Sequence, residues 1–206
     1  MQKNIKLAWV FLRYHYFPHM VLVFAFCCCS VFFASFRNLD AEKCAKILEM
    51  YVSIIGILLL TPLFIPEQDR EIWSVVKSKK VPMWRLYCIR LSMACIMIVL
   101  IILAYFAVFQ ESNSSFEFGK MFMGSMSETI FLGSIGFMVS AVTNQVVLGY
   151  MASVMYYAIN IGKSDMFKHL ALFQMTKGAY DFAIYMCLGA LIFFVFGILI
   201  REKYFF

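Results

Sequence analysis

The chain has 206 residues, a net charge of +6, and a composition that is 63% apolar and only 15% charged. Soluble domains carry roughly 25% charged residues, and disordered chains combine low hydrophobicity with high charge, so both classes are excluded. What remains is a membrane protein, in which a positive balance reports loop topology and not a nucleic-acid partner.

The first 16 residues set Ile5, Ala8, Trp9, Leu12 and Tyr16 at helical spacing, with Lys3, Lys6 and Arg13 elsewhere on the wheel. This predicts an amphipathic helix over 1–16, lying in the inner membrane surface. The plainer alternative is a basic helical extension of the first span. Six apolar runs follow, at about 17–36, 50–65, 86–109, 120–141, 145–161 and 180–200. Backbone in lipid must bond within its own segment, and these runs do not alternate as barrel strands do. The expected fold is therefore an all-α membrane protein with six transmembrane helices, one domain over 1–206. Six spans of about 20 residues leave no room for an attached soluble domain of ordinary size, so any soluble catalytic domain is expected on another chain.

With the N-terminus inside, 11 of the 18 Lys and Arg fall on the inner side and 7 outside. The bias predicts both termini in the cytoplasm. Asp40, Glu42 and Glu49 then belong to an outer loop, balancing nearby bases. Of the seven cysteines only Cys44 falls in that polar loop; the others lie in or beside apolar runs.

The inner segment 66–85 begins with Pro66, a residue suited to a helix start. Glu67, Asp69 and Glu71 fall in its first turns and Lys77, Lys79 and Lys80 near its end, matching the helix dipole. Ile72, Trp73, Val75 and Val76 form its apolar face. Such a helix suits a groove on a partner protein; resting on lipid is an equal alternative.

The fourth run contains Glu128. A charge at mid-membrane costs ~3 kcal/mol and faces protein or water. It either lines a path or dimer seam, or is a neutral acid hydrogen-bonded to a neighbouring helix. Ser125, Thr129, Gly133, Gly136 and Ser140 form a stripe of small residues that permits close helix packing, within the chain or across a dimer, with Glu128 on its flank. The outer segment 162–179 mixes Lys163, Asp165, Lys168 and Lys177 with Met166, Phe167, Leu170, Leu172, Phe173 and Met175. It is expected to dip back as a short helical pair, or to lie flat as an interfacial helix. No metal site is expected, since His15, His19 and His169 are scattered and no CxxC occurs. Gly162-Lys163-Ser164 lacks the earlier glycine of a phosphate loop, and no catalytic residue is expected.

Thr61-Pro62-Leu63-Phe64-Ile65-Pro66-Glu67-Gln68-Asp69-Arg70, continuing through Ile72-Trp73, Lys77-Ser78-Lys79-Lys80 and Tyr87 to Arg90-Leu91, resembles the membrane subunits of type-2 ATP-binding cassette exporters, small bacterial permeases above all. The likeness extends to the layout of nearly the whole chain. It implies that 66–85 is the coupling helix, with Glu67, Asp69, Arg70, Glu71, Ile72 and Trp73 touching a separate ATPase. It also implies that 1–16 is a connecting helix and that 162–179 is a re-entrant external segment. Two ATPase copies, holding the ATP and Mg, would pair with two permease chains, identical or different. This chain would bind no cofactor itself. The few charges in the spans suit a peptide or other amphipathic cargo. Two other readings stand beside this one: a proton-coupled carrier or channel using Glu128, and a non-transporting immunity or assembly scaffold.

Overall fold

The structure is a computed structural model that describes residues 16–33, 39–68, 83–112, 117–162 and 170–204. The expected interfacial helix, apart from Tyr16, and the segment 69–82 lie outside these residues. The described residues are helical, without strands. Four helices are long and apolar enough to cross a membrane, spanning Ala41–Pro66, Met83–Glu111, Phe118–Thr143 and Phe182–Lys203. Two more apolar helices are shorter, at Phe17–Phe32 and Val146–Gly162. In chain order the helices are α1 (Phe17–Phe33), α2 (beginning at Ala41), α3 (Met83–Glu111), α4 (Phe118–Thr143), α5 (Val146–Gly162) and α6 (Phe182–Tyr204).

The largest departure from the sequence reading is α2. It was expected over 50–65, and it begins at Ala41. It is an α-helix at Ala41–Ile47, a π-helical turn at Leu48–Val52, an α-helix at Ser53–Leu60 and a 3-10 helix at Thr61–Gln68. Cys44 and Glu49 are therefore buried in a span and not set in an outer loop. Pro66 lies inside the 3-10 stretch, and the rest of the helix expected from it falls outside the described residues. Pro62 and Pro66 shape this end of α2. In 3-10 register the carbonyls of Leu59 and Leu63 would be met by the N–H groups of residues 62 and 66, and proline has none. Side chains replace them: the Tyr16 hydroxyl donates to the Leu59 carbonyl at 2.9 Å, and Arg90 Nη1 donates to the Leu63 carbonyl at 3.1 Å.

α4 is the central helix, packed against α2, α5 and α6 and, less extensively, α3. Its glycines permit backbone contact. A methyl group at Gly133 would collide with the carbonyl of Gly56 on α2, and one at Gly56 with the carbonyl of Thr129 on α4. A methyl at Gly149 of α5 would strike the Gly136 carbonyl. The outward faces are apolar: Ile96, Leu100 and Leu103 on α3, and Leu188, Leu191, Val195 and Leu199 on α6, are exposed. Apolar outward faces of this kind suit contact with lipid, where exposed leucine carries no penalty.

Candidate functional site

Two polar clusters sit at opposite ends of the bundle. The first is built on Glu49 and Glu128. Glu49 lies in the π-helical turn of α2, a feature that often marks functional positions. Its Oε1 accepts the backbone N–H of Met175 at 2.6 Å and of Thr176 at 3.2 Å, and its Oε2 accepts the Thr176 hydroxyl. Glu128 is wholly enclosed within α4. Ser53 Oγ donates to its Oε2 at 3.3 Å, while Oε1 takes no hydrogen bond.

These groups hold an irregular stretch of chain ahead of α6. Residues 170–181 carry one 3-10 turn at Met175–Lys177, closed by Gly178 at φ 75. Sequence reading expected a helical pair or a flat helix over 162–179; residues 163–169 lie outside the described residues, and 171–174 are not helical. Phe173 has φ 64, a left-handed conformation costly for a bulky residue. The surroundings compensate. Asn160 Oδ1 accepts the Leu172 N–H at 3.0 Å and its Nδ2 donates to the Tyr156 carbonyl at 2.9 Å. The Tyr156 hydroxyl donates to the Leu170 carbonyl, and Tyr157 donates to the Met50 carbonyl in the π turn at 3.0 Å. Ala171, Leu172 and Met175 are buried. Non-helical backbone among apolar helices persists only when protein satisfies its polar groups, and here α2 and α5 do so. A cavity of about 360 Å³ opens beside the stretch, lined by Glu42, Lys46, Asn160, Phe173, Thr176 and Lys177 among others.

The second cluster lies where α2 ends. Arg201 of α6 is 2% exposed. Its Nη1 donates to Asn144 Oδ1, and its guanidinium lies 5.2 Å from the centre of the Phe64 ring. Asn144, at φ 55, caps α4 in the left-handed conformation. Arg90 is buried nearby on the Leu63 carbonyl.

The stripe residues Ser125, Thr129, Gly133, Gly136 and Ser140 are all in the buried set of α4. Thr129 Oγ1 reaches the Val52 carbonyl at 3.5 Å and Ser140 Oγ the Thr61 carbonyl at 3.4 Å. Gly133 and Gly136 face Gly56 and Thr61. Their partner is therefore α2 of the same chain, while Ser125 Oγ returns to the Phe122 carbonyl of its own helix at 3.2 Å. Of the expected coupling residues, Glu67 falls in the 3-10 end of α2; Asp69, Arg70, Glu71, Ile72 and Trp73 lie outside the described residues. Among the described residues no cluster of three or more His, Cys, Asp or Glu is placed to hold a metal ion.

Compared with known proteins, the chain matches no protein-family model, no curated protein and no solved structure. Function therefore rests on the chain's own residues.

Proposed function

We propose that this protein is the membrane-spanning permease subunit of an ATP-driven exporter of the type-2 ATP-binding cassette kind. It would sit in a bacterial cell membrane with both termini in the cytoplasm. The observation that carries the reading is an arrangement. Segment 170–181, anchored by Glu49 and Asn160, lies just before α6 at one end of the bundle. The proline-broken end of α2, leading into 69–82, lies at the other. A re-entrant external segment opposite a coupling segment is the layout that the resemblance over Thr61 to Leu91 implies.

In this reading the ATPase partners, two copies holding ATP and Mg, close on binding nucleotide. Their motion passes through Glu67, Asp69, Arg70, Glu71, Ile72 and Trp73 to α2 and α3. Free energy enters as differential binding in the partner, so the permease needs no catalytic group. Arg90 joins α3 to the end of α2 and makes the two helices move as a unit. The cargo class is a peptide or other amphipathic molecule. A groove of about 570 Å³ between α1 and α3, lined by Met20, Val23, Phe24, Met97 and Ile101 among others, is apolar and open to the side. A second permease chain, identical or different, completes the assembly.

The test is gentle purification of the full chain from its own host membrane. A co-purifying protein with a phosphate-binding loop, near one copy per permease and lost in Trp73→Ala, is the expected result. A chain that comes alone, or only with itself, overturns the reading.

A further inference from the structure

Two buried carboxyl groups at one end of the bundle are served unequally. Glu49 is served by three donors from Met175 and Thr176, and the ammonium of Lys177 lies on its side. Glu128 has less support, a hydroxyl donor from Ser53 on its Oε2. The groups that face it are Glu49 and Ser53 from α2, Tyr156 and Tyr157 from α5, and the backbone amide of Phe173. Around Glu49 itself stand Tyr157, Lys177 and Tyr180. Among the described residues, no base pairs with Glu128, and its Oε1 is buried without a hydrogen bond.

Two carboxyl groups enclosed side by side do not both stay ionised without positive charge between them, and a buried charge missing its partner is strongly destabilising. An oxygen left without a donor in a polar site calls for something bound there. The cavity of about 360 Å³ lies beside the site, lined by Phe173 and Thr176 among others, whose backbone amides serve Glu128 and Glu49.

We propose that Glu128, with Glu49 and Ser53, binds one small monovalent cation, a sodium ion or a proton. The bound charge neutralises Glu128 and secures segment 170–177 on the bundle. The inference goes beyond the exporter reading and does not depend on it, since it concerns binding to this chain alone.

The experiment follows thermal unfolding of the full chain in detergent, at constant ionic strength. Sodium is exchanged for choline at pH 8, and pH is then varied without sodium. A ligand at a hundred times its dissociation constant raises the midpoint by roughly 5 °C. A rise with sodium that Glu128→Gln abolishes establishes a sodium site. A rise on acidification alone, again abolished by Glu128→Gln, establishes a proton site. No response in the native chain, or an equal response in Glu128→Gln, overturns the proposal. Should Glu128→Gln fail to fold, hydrogen exchange of the amides in 170–180 is read in the native chain and in Ser53→Ala. The native amides should slow several-fold with the cation, and Ser53→Ala should need more of it. Unchanged exchange overturns the proposal as well.

Discussion

Where α2 begins, a buried carboxylate receives backbone N–H groups from an irregular segment. Where α2 finishes, a phenol and a guanidinium donate to backbone carbonyls that two prolines leave without donors. Glu49 stands in for missing acceptors, and Tyr16 and Arg90 for missing donors. Both devices meet the same constraint, since backbone in lipid cannot turn to water. They differ in reach. The acidic device joins α2 to a segment some 126 residues later in the chain. The donor device joins α2 to its two sequence neighbours, α1 and α3. The first stabilises a departure from helix, and the second repairs the end of one.

That contrast predicts an order of effects. Glu49→Ala strands three donors at once, one buried on Met175 and two on half-buried Thr176, and each buried unmet group costs about 1–3 kcal/mol. A loss of about 3 kcal/mol or more is expected in thermal unfolding, with hydrogen exchange rising first in 170–181. A loss under about 1 kcal/mol would show that segment to be held by apolar burial instead.

Arg90→Met should cost about 2 kcal/mol, because it exposes the orphaned Leu63 carbonyl to an apolar neighbour. The same change in a Pro66→Ala background should cost about 1 kcal/mol less, since the restored N–H can meet that carbonyl. Additivity in this double-mutant cycle would break the donor-replacement account.

Tyr16→Phe should cost about 1 kcal/mol. Pro62→Ala should absorb most of that loss in the matching cycle, so an undiminished cost there counts against the pairing with Leu59. Thr176→Val is the smallest, at roughly 0.5–1 kcal/mol, because both backbone donors to Glu49 survive. If its effect equals that of Glu49→Ala, the hydroxyl and not the amide pair holds the segment.

The six apolar runs were legible because lipid admits long apolar segments only as helices, and Glu128 was legible because a lone acid stands out inside one. Glu49 was not. Asp40, Glu42, Lys43 and Lys46 surround it, and charge density reads as loop. A usable signal was present in the spacing of Cys44, Leu48, Val52 and Ile55, which continues one buried face through the charged stretch. The helix expected from Pro66 falls largely outside the described residues, and Pro66 itself lies inside the 3-10 stretch that closes α2. The donations of Tyr16 and Arg90 to the carbonyls behind the prolines were not legible. The partners of Glu49 and Glu128 were illegible for the same reason, lying on segments that only the tertiary fold brings near.

The glycine contacts at Gly56, Gly133 and Gly149 carry one last consequence. Where α2, α4 and α5 meet, a Cβ at Gly56, Gly133 or Gly149 would strike a facing backbone carbonyl, so these helices leave no space between them at those positions. A solute could not pass between them there without prying those helices apart. In the exporter reading proposed above, cargo would then run along a flank of this chain, with another surface forming the opposite wall.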